Sequence, residues 1–132
     1  MLFIPCVLFP FLLNLPVTDG SFTLKVNIAG ASQKGNLMAE LRNQNGQVVQ
    51  QRKQNIKTGG AMLTFANLPK GGYAVAVFHD EDADGELDTN FVGIPTEAYG
   101  FSNNARGVFG PPELSEQLFE LKTNYTITIQ IR

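Results

Sequence analysis

Met62-Leu63-Thr64-Phe65-Ala66-Asn67-Leu68, then Pro69-Lys70-Gly71-Gly72, then Tyr73-Ala74-Val75-Ala76-Val77-Phe78-His79: this stretch decides the fold class. The outer segments read as strands. Pro69 to Gly72 reads as a turn, because proline presets φ and glycine accepts backbone angles that other residues avoid. Tyr73 to His79 is the most apolar strand after the N-terminal segment, so it is expected at the centre of a sheet. Alternation puts Tyr73, Val75, Val77 and His79 on one face.

Working toward the N-terminus, Phe22, Leu24, Val26 and Ile28 occupy every second position, the period of a half-buried strand. Gly30 to Gly35 reads as a turn, and Leu37, Ala39 and Leu41 alternate again. Asn43-Gln44-Asn45-Gly46 predicts a hairpin, since Asn-Gly suits a turn with positive φ. Gln47 to Gln51 is the return strand, its Gln/Arg-rich continuation suggests an exposed sheet edge, and Lys57 to Gly60 reads as a loop. Toward the C-terminus, a long connection from Asp80 to Glu116 precedes two more strands, Gln117 to Leu121 and Tyr125 to Arg132. The second places Tyr125, Ile127, Ile129 and Ile131 on one face. No helix is apparent. Short strands punctuated by turns predict an all-β, antiparallel β-sandwich of about seven strands with one long Gly/Pro-rich loop.

The run Asp80-Glu81-Asp82-Ala83-Asp84-Gly85-Glu86-Leu87-Asp88 carries the strongest chemical signal. Asp80, Asp82, Asp84 and Asp88 fall at relative positions 1, 3, 5 and 9, and the backbone carbonyl of Glu86 falls at 7. Calcium takes about six to eight oxygens from such positions, with a glycine at 6 for the sharp turn. Lys and Arg are absent between Lys70 and Arg106, so six acids within nine residues lack a local counter-charge that a cation would supply. Position 12 is Phe91 rather than the bidentate Glu of a helix-flanked site, which favours a loop between strands. A solvated Asp/Gly turn is the competing reading.

Of 132 residues, ten are Lys or Arg and twelve are Asp or Glu, for a net charge of −2. That balance gives no reason to expect nucleic acid as a partner. With six acids confined to Asp80–Asp88, the rest of the chain carries ten basic residues against six acids. Met1 to Val17 is apolar except for Asn14 and is interrupted by Pro5, Pro10 and Pro16. Residues 1–20 therefore read as a signal-peptide-like leader with cleavage before Ser21, although the first basic residue is Lys25. An uncleaved anchor or a buried strand is the alternative. Residues 21–132 then form a single domain, secreted or periplasmic, with no membrane span in the mature chain. The only cysteine, Cys6, lies in the leader, so the domain has neither a disulfide framework nor thiolate chemistry.

His79, Glu97, Tyr99, Phe101, Asn103 and Arg106 form the candidate ligand surface. His79 could orient Asp80, and Glu97 could complete a calcium shell. Tyr99 and Phe101 either cover the end of the sandwich, with Glu97 paired to Arg106, or offer a stacking platform to a glycan or peptide. Ser102 lacks a second histidine for a triad, and a zinc site is not expected with one histidine and no domain cysteine. A non-enzymatic module is expected, with glycan or a cell-envelope protein as partner and a small hydrolase as the lesser alternative.

Phe65-Ala66-Asn67-Leu68-Pro69-Lys70-Gly71-Gly72-Tyr73-Ala74-Val75 looks like the F-x-x-L-P-x-G-x-Y-x-V hairpin of Ig-like, prealbumin-like (transthyretin-like) sandwiches. From Leu68 onward the chain resembles the bacterial exported domain-of-unknown-function family 2141 (DUF2141). The matching words are Gly72-Tyr73-Ala74-Val75, His79-Asp80-Glu81 with Asp84-Gly85 and Leu87-Asp88-Thr89-Asn90, Gly93 to Asn103, and Gly110-Pro111-Pro112. Asp82 stands where the family more often has Asn. The resemblance implies a secreted β-sandwich and brings no activity with it.

Overall fold

The computed structural model describes residues 21–81 and 97–132. The expected leader and the loop residues after Glu81, as far as position 96, lie outside this description. The strands are β1 (Phe22–Ala29), β2 (Asn36–Asn43), β3 (Val48–Asn55), β4 (Met62–Leu68), β5 (Gly71–Asp80), β6 (Tyr99–Phe101), β7 (Phe119–Leu121) and β8 (Tyr125–Gln130). One sheet has the order β4-β1-β8 and the other β3-β2-β5-β6, with β7 also joining β5. Pairings are antiparallel except β1 with β8, which run parallel. This is the expected all-β sandwich.

Among the described residues there are eight strands, one more than expected. The addition is β6, inside the connection from Asp80 to Glu116. Gly100 explains its placement: a Cβ there would lie 2.7 Å from Ile129 Cγ2 and 2.8 Å from the Gln130 carbonyl. Only glycine lets β6 approach β8 so closely, and Tyr99 and Arg132 exchange backbone hydrogen bonds beside it.

The turn Pro69–Gly72 corrects a second expectation. The strands on either side do not pair as a hairpin: β4 pairs with β1, and β5 pairs with β2. The turn is a corner between the two sheets. Tyr73 secures it by donating its phenol hydrogen to the Pro69 carbonyl at 2.7 Å. The true hairpin is β2–β3, closed by Gly46 N–H on the Asn43 carbonyl at 2.9 Å, with Gly46 at φ 83°. Asn43 Oδ1 accepts from the Asn45 and Gln47 amides, an Asx-type brace.

Leu24, Val26, Leu37, Leu41, Leu63, Phe65, Val75, Leu121 and Ile129 fill the space between sheets and are nearly inaccessible. Where β3 and β4 leave a seam, polar side chains close it. Gln50 Nε2, Arg52 Nε and Gln54 Nε2 donate to the β4 carbonyls of Ala66, Thr64 and Met62 at 2.8, 3.0 and 2.9 Å. The Gln/Arg-rich edge thus supplies β4 with the donors a neighbouring strand would have given.

Ile56–Gly59 forms one helical turn where a loop was expected. Asn55 caps it by accepting from the Lys57 and Thr58 amides, and Ile56 is buried beneath it. Two further single turns, Ser102–Asn104 and Leu114–Gln117, shape the connection after β6. Among the described residues no helix is long and apolar enough to cross a membrane.

Candidate binding groove and acidic loop

β5 delivers its last residues to the end of the sandwich where the acidic run begins. His79 and Asp80 are both buried there. His79 Nε2–H donates to the Lys34 carbonyl at 2.7 Å, which leaves Nδ1 facing Glu81 Oε2 at 3.9 Å. Ser32 Oγ donates to that same Glu81 oxygen at 2.7 Å. The Ser32 hydrogen bond, aided by His79 and Lys34, holds the Glu81 carboxyl below its ordinary range, against a smaller opposing effect of desolvation. Glu97 Oε2 accepts from the Glu81 amide at 3.0 Å, so both ends of the long loop meet at its base. Gly35 makes the closure possible, since a Cβ at its φ of +79° would lie 2.3 Å from the Asp80 carbonyl. Among the described residues no three or more ligating side chains gather into a metal cluster. Asp82, Asp84, Glu86 and Asp88 lie outside them.

The other feature is a groove of about 1200 Å³ on the outer face of the five-stranded sheet. Registers define its floor. Lys53, Met38, Phe78 and Tyr99 form one row across four strands, and Gln51, Glu40, Ala76 and Phe101 form the next. The small side chain of Ala76 leaves a trough beside Phe78. Pro111, Pro112, Leu114 and Gln117 line one side, with Val108 and Phe109 at the rim. Phe109 is fully exposed and Val108 is 85 % exposed, unlike any core residue.

The six predicted surface residues divide between these places. His79 faces inward, away from Tyr99, because the pleat sends Phe78 and His79 to opposite faces. Tyr99 and Phe101 lie on the groove floor, centroids 5.9 Å apart and planes at 78°, an edge-to-face pair rather than a flat platform. Arg106 covers Tyr99, its guanidinium 4.9 Å from the ring centroid, and donates to the Tyr99 and Gln130 carbonyls. Among the described residues no cation lies over Phe101 or Phe78. Asn103 sits at φ 62° and gives its amide hydrogens to the Glu116 and Leu118 carbonyls, anchoring the groove wall from behind.

A family model described as "Uncharacterized protein conserved in bacteria (DUF2141)" matches residues 23–129. The chain belongs to DUF2141. The match takes in both sheets, the acidic run and the groove. A search of curated proteins found no match. Among solved structures, this DUF2141 chain is similar to a Bacteroides thetaiotaomicron chain described as "putative polysaccharide binding proteins (DUF1812)". The two share 12 % identity at a TM-score of 0.46, over 83 % of this chain and 46 % of the other. This DUF2141 chain thus spans less than half of that protein's length.

Val108, Phe109, Met38 and Phe78 are groove residues that motif reading did not single out in the DUF2141 chain. Phe78 and Met38 were legible as the alternate positions of their strands. Val108-Phe109 between Gly107 and Gly110 was legible as an apolar pair at a turn.

Proposed function

We propose that this domain is a non-enzymatic, extracytoplasmic binding module. Its outer-face groove takes a carbohydrate, and the run Asp80–Asp88 binds calcium that braces the adjoining end of the sandwich. The observation carrying the reading is the groove floor: half-buried aromatic rings beside hydrogen-bonding Gln51, Glu40 and Arg42, on a rigid sheet. Sugars present apolar ring faces and polar edges, and such a floor meets both. The groove's inner strands, β2 and β5, are paired on both sides, which disfavours capture of a peptide by strand addition. A non-enzymatic role is supported by the occupation of the candidate catalytic groups. Ser102 Oγ is buried, accepting from Val75 N–H at 2.9 Å and donating to the Gln117 carbonyl at 2.6 Å. His79 is buried and committed to Lys34.

Glycan binding measured for the parent protein and Phe101→Ala tests the groove. Binding that survives unchanged in a folded Phe101→Ala variant rejects it. Thermal unfolding in millimolar calcium, magnesium or chelator tests the loop. A calcium-specific rise in midpoint, absent in Asp84→Ala, is expected, whereas no shift reduces the acidic run to a solvated turn.

A further inference from the structure

Building on the groove as a glycan site, we infer that its ligand is an acidic polysaccharide, one whose sugars carry carboxylates. The charges around the floor point that way. Lys53 stands at the β3 end of the first row and has no ion-pair partner among the described residues. At the other end of that row Arg106 lies over Tyr99. Between these cations run Met38, Phe78 and the Tyr99 ring, so the row is apolar in the middle and positive at both ends. With strands about 4.8 Å apart, Lys53 and Tyr99 stand roughly 14 Å from each other. That is a span for several linked sugars rather than one.

Among the described residues Glu40 is the only acid lining the groove, and it is paired with Arg42. Arg42 donates Nε–H to Glu40 Oε1 at 2.9 Å, and its Nη2 binds the same oxygen. A guanidinium has five N–H donors, so this pair leaves Arg42 with hydrogens for a ligand. Among the described residues Lys53 thus faces the groove without an answering acid. A carboxylated sugar chain would place ring faces on Phe78 and Phe101 and carboxylates on Lys53 and Arg42. Phe109, fully exposed at the rim, would close over the outer face of a bound ring.

The chain contains no tryptophan, so Phe109→Trp adds a single fluorophore at the rim. The test titrates this full-length variant with short oligogalacturonates and with the same oligomers methyl-esterified, which removes their charge. The acidic form is expected to perturb the fluorescence and to bind at least about ten-fold tighter than the ester. Lys53→Gln should weaken acidic binding about ten-fold and leave the ester unaffected, and added salt should weaken only the acidic form. Equal binding of both forms, lost in Phe101→Ala, overturns the acidic ligand and leaves the glycan groove standing. Acidic binding indifferent to Lys53→Gln and Phe101→Ala places the contact elsewhere and overturns this inference. Binding of neither form overturns it too. In that case neutral hexose oligomers decide whether the glycan reading falls with it, and an acidic peptide that binds instead would replace it.

Discussion

The two faces of the five-stranded sheet are built from alternate residues of the same strands and differ in chemistry. Along β2, Leu37 and Leu41 are fully buried and Ala39 nearly so, while Met38, Glu40 and Arg42 are half-exposed. Along β5, Val75 and Val77 enter the core while Ala76 and Phe78 face the groove. Along these stretches the inner face is aliphatic, with Tyr73 and His79 at its two ends. The outer face mixes aromatic, small, acidic and basic side chains in register. A period of two lets one strand carry stability on one side and recognition on the other. Substitutions on the inner face should therefore cost stability and leave binding intact below the unfolding temperature.

Leu41→Ala is the severest test. Leu41 has no accessible surface and packs within the core between sheets, so truncation should cost about 2–5 kcal/mol, measured by denaturant unfolding. At low denaturant the groove of this variant should still bind. If glycan affinity falls with stability, the two faces are not separable.

Ser102→Ala should cost less, about 1–3 kcal/mol, because it leaves two buried partners unsatisfied. Its interest lies in its position. β6 pairs with Ala76 to Phe78 and β7 with Gly71 to Tyr73, so the edge of β5 has a gap between them. The Ser102 hydroxyl fills it, taking the Val75 amide and returning a hydrogen to Gln117, a groove-wall residue. This is one point where the faces communicate. Ser102→Ala is expected to weaken binding as well as stability, whereas Leu41→Ala affects stability alone. Equal binding by both variants would remove the communication.

Most strands were legible from a two-residue period held over five residues or more, as in Phe22–Ala29 and Gly71–Asp80. β3 was placed by the turn before it, and only the end of the expected strand Gln117–Leu121 forms β7, Gln117 itself closing a helical turn. β6 was not legible, since its three residues lie inside the Gly/Pro-rich connection. Its position depends on Gly100 meeting β8, a contact 29 or more residues away in sequence. The corner at Pro69–Gly72 carried the composition of a turn, and composition does not say which sheet receives the next strand. The site divides likewise. Tyr99 and Phe101 announced themselves as neighbouring aromatics. Lys53 did not, because only the β2–β3 register sets it opposite Met38. His79 and Tyr99 read as one surface in sequence, yet the pleat of β5 and its pairing with β6 send them to opposite faces.

Tyr73 gives the mildest test. It is an inner-face residue whose hydroxyl reaches out to the inter-sheet corner, binding the Pro69 carbonyl at 2.7 Å. Tyr73→Phe keeps the ring and loses that bond, at a cost of about 0.5–1.5 kcal/mol. Burial disfavours the phenolate and raises the Tyr73 pKa above its ordinary 10.0. In the window above pH 10 the unfolded chain gives up this proton more readily than the folded one. The stabilisation is therefore fully present below the unfolded value and is lost as pH rises through it toward the folded value. Subtracting the alkaline stability profile of Tyr73→Phe from that of the parent should isolate this loss, free of the lysines and the other tyrosines. Parallel profiles would mean that the phenol titrates alike in both states, and that the corner is held by Pro69 and the strand pairings alone.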